Sequence, residues 1–125
     1  MALKIYVAGK ISGDPEYRKK FGLTARHITR AARIANMGSA FWTMDVQQPP
    51  PLVVLNPAEL PEGMTAGDYM KICFAMIDAA DFVIFLPEWT ESKGAQLEKA
   101  YCDYIAKPHG TLPRSWWMSL EEFNG

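Results

Sequence analysis

The segment "FVIFLPEWTESKGAQLEKAYCDYIAK" (82–107) begins with six residues, "FVIFLP", that are apolar without interruption. A strand apolar on both faces belongs inside a parallel sheet that is covered on each side. The small and polar "EWTESKGA" that follows reads as a loop, and "SKGAQLEKAYCDYIAK" (92–107) reads as a helix ending before Pro108. Strand, loop and helix in that order are the repeating unit of an α/β fold.

The rest of the chain repeats the unit. "LKIYVAG" (3–9) is a short, β-branched and aromatic strand that closes on glycine. The spacing predicts a helix over 14–38, with Asp14 as N-cap, Pro15 at its first position and Gly38 as its terminator. Phe21, Ala25, Ile28, Ala32 and Ala35 give that helix one apolar face. "SAFWTMDVQQPPP" (39–51) reads as a loop, because three consecutive prolines exclude regular structure. "LVVLN" (52–56) is the second strand, and Thr65 caps a helix over 65–81. The order β-α-β-α-β-α points to one domain over 1–125: a flavodoxin-like, doubly wound parallel sheet in three α/β/α layers. Its C-terminal part, 108–125, reads as shortened and irregular, with a short strand near His109 to Leu112 as one option. "SLEE" (119–122) has the pattern of a capping box and predicts a terminal helical turn.

Composition narrows the function. The 125 residues are 49% apolar and 22% charged, with a formal net charge of −1. No global field draws polymeric nucleic acid or an anionic membrane. No run approaches a membrane span, the N-terminus lacks a signal-peptide pattern, and the expected location is the cytoplasm. The two cysteines, Cys73 and Cys102, read as small core hydrophobes. With His27 and His109 they show no metal-ligand spacing, so no metal or other cofactor is expected.

Open parallel sheets bind ligands beyond the carboxyl ends of their strands. Those ends carry "AGKISGD" (8–14), "NPAEL" (56–60) and "PEWTESKGA" (87–95). The first exposes backbone N–H groups ahead of a helix, an arrangement suited to an anion, although a turn without a ligand looks the same in sequence. Glu98 has two readings. It is either a solvated residue that favours the helix dipole, or a carboxylate that faces a pocket and attacks a sugar carbon.

"KIYVAGKISGDPEYRKKF", "NPAELPEGMTAGDYMKICFAMIDAADFVIFLPEW" and "SKGAQLEKAYCDYIAKP" together resemble the nucleoside 2-deoxyribosyltransferase superfamily, and more closely its small phage and bacterial branch, the DUF4406 family. The quoted stretches cover a little over half of the chain. It implies that Glu98 is the nucleophile and Tyr6 its orienting partner. It further implies that Gly9, Lys10, Ile11, Ser12 and Gly13, with Asn56, Ser92 and Gly94, hold sugar or phosphate. The expected activity is that of an N-glycosidase or deoxyribosyltransferase acting on a nucleoside or its 5′-monophosphate, in a homo-oligomer and in the host cytoplasm if the chain is phage-encoded. Where the superfamily's enzymes carry an acid for the leaving base, this chain has Cys73, and Asp68 is the nearby substitute. A nucleotide-binding module without turnover is therefore the alternative, and an interaction protein using Trp116 and Trp117 is a third. Arg114, Trp116 and Trp117 are also candidates for completing a neighbouring subunit's site.

Overall fold

The computed structural model describes residues 2–43 and 51–120, with the backbone alone over 32–43. Strands β1 (Leu3–Ala8), β2 (Leu52–Leu55), β3 (Phe82–Phe85) and β4 (His109–Thr111) alternate with helices α1 (Tyr17–Thr43), α2 (Ala66–Ala79) and α3 (Lys93–Tyr104). All strand pairs are parallel, in the order β2-β1-β3-β4, with Tyr6 opposite Leu55 on one side and Val83 on the other. The chain leaves β1 toward β2 and then crosses back to β3. That reversal makes the carboxyl ends of β1 and β3 the topological switch point. The fold is the expected flavodoxin-like α/β arrangement.

Alternation along β1 divides the core. Tyr6 and Ala8 point to one face, where they meet Val83 and Phe85 of β3, Cys73 and Ile77 of α2 and Cys102 of α3. Val7 points to the other, where Phe21 of α1, Ala58 and Leu86 pack. A period of two in the strand thus places α1 on one layer and α2 with α3 on the other.

Several boundaries differ from the sequence reading. Helix α1 continues through Gly38 to Thr43, so residues 39–43 are helix and not loop. An interior glycine costs a helix only about 1 kcal/mol relative to alanine, which need not end it. The loop predicted at 44–50 lies outside the described residues. Asp14 caps the turn before α1: its Oδ1 accepts the Glu16 N–H at 2.9 Å. Thr65 caps α2 as expected, in a capping box that Asp68 completes. Helix α3 stops at Tyr104 and not at Lys107, because Ala106 turns to a φ of 56°. The Lys107 N–H reaches the Cys102 carbonyl at 2.9 Å and the Ala106 N–H the Asp103 carbonyl, the two bonds of a Schellman motif.

The C-terminal part is more regular than anticipated. His109–Thr111 completes the sheet against Val83–Phe85. Residues Arg114–Ser119 form a 3-10 helix, and the helical turn predicted from "SLEE" (119–122) lies largely outside the described residues, which end at Leu120. This tail is anchored on its own chain. Trp116 Nε1 donates to the buried Thr24 Oγ1 at 3.2 Å, and Trp117 Nε1 donates to Glu88 Oε1 at 2.7 Å. Arg114 pairs with Glu91 at 3.6 Å. All three residues proposed to serve a neighbouring subunit therefore have intramolecular partners.

Candidate functional site

Helix α3 shows one stripe to the sheet. Ala95, Glu98 and Cys102, at spacings of three and four, are its buried residues. Glu98 is thus an interior residue, 6% exposed, in the layer that holds Tyr6 and Cys73. The solvated reading of this carboxylate does not hold. Ser92 caps the helix by accepting the Ala95 N–H at 3.2 Å. At 1.5 Å per residue Glu98 lies about 9 Å along the helix from that cap. Tyr6 stands two residues before the end of β1, a comparable depth below the switch point.

The site is polar yet poorly paired. The Tyr6 hydroxyl and Glu98 Oε2 are both buried without a hydrogen-bond partner. The Tyr6 hydroxyl is nonetheless near enough to act as a weak hydrogen-bond partner of both Glu98 and Cys73, and it shifts the titration of each. Burial pushes the Glu98 carboxyl from 4.5 up to about 7, against the opposing influence of the Tyr6 hydroxyl, which favours the charged form. Tyr6 is held well above its usual range, first by burial and then by the Glu98 charge. Burial also raises the Cys73 thiol, with Glu98 adding to the effect and Tyr6 opposing it. Cys102 is pushed up to about 11 by burial and by Glu98. At neutral pH the carboxyl is thus the readily titrating group of the four, surrounded by neutral O–H and S–H groups.

The remaining predicted residues line the strand ends above. Gly9 is buried where β1 passes β3: a Cβ there would stand 3.0 Å from Leu86 Cβ. Ile11 to Asp14 form a turn closed by the Asp14 N–H on the Ile11 carbonyl at 3.2 Å, with Ser12 and Gly13 at its centre. Gly13 adopts φ +80°, the value a type II turn requires at its third position. Lys10 folds over this turn, its Cε 3.9 Å from the place of a Gly13 Cβ, and Ile11 packs on the α1-side core. Asn56 directly follows β2 and accepts the Ala58 N–H at 2.9 Å, so its side chain caps a 3-10 turn. Gly94 lies in the first turn of α3, where a Cβ would stand 3.4 Å from the Met70 methyl.

Asp68 does not join Glu98. It is exposed, and its Oδ2 accepts the Thr65 N–H in the capping box. Cys73 is the α2 residue that reaches the Tyr6 and Glu98 pair, so the position occupied by a thiol is the one facing the carboxylate.

Sequence reading missed a second cluster at the same strand ends. Lys20 of α1 donates to Asp14 Oδ2 at 2.9 Å and to Glu88 Oε1 at 3.3 Å, and its ammonium sits 5.4 Å from the centre of the Trp117 ring. This cluster ties the loop after β1 to the loop after β3. Burial works to raise the Asp14 carboxyl, but the Lys20 and Glu16 hydrogen bonds outweigh it and leave it below its ordinary value. Burial likewise works to lower Lys20, but the two carboxylates prevail and raise it. Cys102 beside Glu98 was also missed as a site residue, although its i+4 spacing placed it on the same face.

Residues 42–108 match the family described as "Domain of unknown function (DUF4406)". The chain belongs to the DUF4406 family. The matched part contains Asn56, Asp68, Cys73, Ser92, Gly94 and Glu98, whereas Tyr6 and Gly9 to Gly13 precede it. No curated protein and no solved structure matches the chain. Among the described residues of this DUF4406 member, no group of three His, Cys, Asp or Glu could hold a metal ion. No helix among them is long and apolar enough to cross a membrane.

Proposed function

We propose that this protein breaks the N-glycosidic bond of a nucleoside or nucleoside 5′-monophosphate, with Glu98 as the nucleophile and water or a second base as acceptor. The observation that carries the reading is the buried Glu98 carboxylate, unpartnered at Oε2 and set against the unpartnered Tyr6 hydroxyl below the switch point. An ionised carboxyl left without a countercharge is costly in a stable core. Its cost is accounted for if the group meets an electrophile or an oxocarbenium-like transition state. Tyr6, which keeps its proton, orients the carboxylate. Gly9 to Gly13 and Ser92 supply N–H and O–H donors at the adjacent strand ends for sugar and phosphate oxygens, with Lys10 as a point charge.

Base release, followed by chromatography across nucleosides and their 5′-monophosphates, tests the reading. Wild-type protein should release base and Glu98→Gln should not. Release at equal rates from both proteins removes Glu98 from the reaction.

A second reading, a nucleotide-binding module without turnover, is favoured by Cys73. A thiol held above its ordinary range is a weak acid for protonating a departing base. Nucleotide binding without base release from any substrate would select this reading.

A further inference from the structure

The groups around Glu98 bear on which glycosidic bond the site could break, granted the nucleophilic role proposed above. Tyr6 and Cys73 face the carboxylate from β1 and α2, and Cys102 lies one turn beyond it on α3. Each is a neutral O–H or S–H group. Asp68, the carboxyl nearest Cys73 on the N-terminal side in the chain, is committed to the α2 cap. Among the described residues no lysine, arginine or histidine pairs with Glu98, while Lys20, a partly buried cation of the other layer, is held by Asp14 and Glu88. The site thus offers a carboxylate without a countercharge and no strong proton donor opposite it.

A neutral nucleoside is poorly served by such a site. When its C1′–N bond breaks, the electron pair leaves the base as an anion unless an acid delivers a proton. A glycoside whose ring nitrogen already carries a positive charge has no such need. We propose that the preferred substrates are cationic N-glycosides, of the pyridinium or N7-alkylated purine class, recognised by the unpartnered Glu98 and released without acid assistance. One Glu98 oxygen forms the bond to C1′ as the C1′–N bond breaks. The pair of electrons returns to the ring, cancels its charge, and the heterocycle departs neutral. Water then cleaves the glycosyl ester, giving the free sugar and one proton, and restores the carboxylate. The substrate's positive charge also supplies the missing countercharge, so binding should favour ionised Glu98.

The test uses matched pairs with the full chain: 7-methylguanosine against guanosine, and nicotinamide riboside against its neutral dihydro form, as nucleosides and 5′-monophosphates. Each rate is divided by that compound's spontaneous rate, with Glu98→Gln as control. The expected result is a Glu98-dependent acceleration about a hundredfold greater for each cationic member, the scale on which a missing general acid is felt. Cys73→Asp should raise the neutral members relative to the cationic ones and so narrow the ratio within each pair, whatever it does to the absolute rates, and Cys73→Ser should keep that ratio. If Cys73→Asp does not fold, as judged by circular dichroism, the wild-type pairs and Cys73→Ser decide. Equal acceleration within each pair overturns the cationic preference while the glycosidase stands. Release that is absent throughout, or indifferent to Glu98→Gln, overturns both.

Discussion

Replacing Glu98 by glutamine removes a buried charge while keeping a similar shape, and the consequence depends on pH in a direction that can be worked out. The carboxyl titrates near 4.5 when solvated and at about 7 in the folded protein, because burial disfavours its ionised form. Below pH 4.5 both folded and unfolded chains hold the proton, and Glu98 carries no ionic penalty. Between 4.5 and 7 the unfolded chain loses its proton first, so the folded state is progressively destabilised. Above 7 both are ionised and the penalty is complete. At about 1.4 kcal/mol for each pH unit of displacement, the full penalty is about 3 kcal/mol.

Glutamine has no such titration. Urea unfolding of wild type and Glu98→Gln, at intervals from pH 4.5 to 8, isolates this contribution, since every other group titrates in both proteins. The wild-type stability minus that of the variant should fall by about 3 kcal/mol over that interval and then level off. Parallel curves would mean that Glu98 is solvated and would refute the buried-carboxylate reasoning. The same titration governs chemistry. If ionised Glu98 is the nucleophile, kcat/KM for base release climbs with pH up to about 7, whereas a solvated carboxylate would already have reached its plateau near pH 5.5.

Other parts of the molecule give shorter tests. Ala106 holds a left-handed φ that glycine adopts without strain, so Ala106→Gly should raise stability by about 0.5–1 kcal/mol, read as a higher urea midpoint at unchanged slope. Gly9→Ala forces a methyl group within 3.0 Å of Leu86 Cβ at the switch point, and thermal unfolding should show a loss of about 1–3 kcal/mol. Trp117→Phe removes the N–H that binds Glu88 and should cost about 1.5 kcal/mol, with faster hydrogen exchange across 114–119 as a second readout. Asp14→Asn should destabilise at neutral pH. Because the folded Asp14 titrates below its ordinary value, that cost should diminish as pH falls through its folded value, which acid denaturation of the two proteins can follow.

The layers of the fold were legible because strand patterning is a local property. "FVIFLP" is apolar on both faces and "LKIYVAG" is so after Lys4, as strands inside a covered parallel sheet are. Strand β4 was far less legible. His109, Gly110 and Thr111 have no apolar alternation, and their extended form comes from pairing with Val83, Ile84 and Phe85. The tail was illegible for a related reason: Trp116 finds its acceptor on Thr24, 92 residues earlier. Within the site, Glu98 could be picked out but its burial could not. A glutamate near a helix start is equally suited to solvent, and only the packing of α3 on β1 and α2 turns it inward. Lys20 and Glu88, 68 residues apart, likewise meet only through the packing of α1 against the strand ends.

The two layers treat their inward-lying acids in opposite ways, partly buried and paired on one side and buried without a countercharge on the other, and that contrast bears on function. On the α1 side, Asp14 and Glu88 share Lys20, whose side chain is only 16% exposed, and Trp117 donates to the same Glu88 oxygen. Every charge there has a partner, and the cluster joins the loops after β1 and β3 into one rigid rim. On the α2 and α3 side, Glu98 has neutral neighbours and an oxygen without a partner. A sequence selected for stability alone would gain from an apolar residue at position 98, given the penalty of about 3 kcal/mol above pH 7. A rim held firm by paired charges and a floor destabilised by an unpaired one are what a binding cleft needs: fixed loops above, and below them a carboxylate whose missing partner arrives with the ligand.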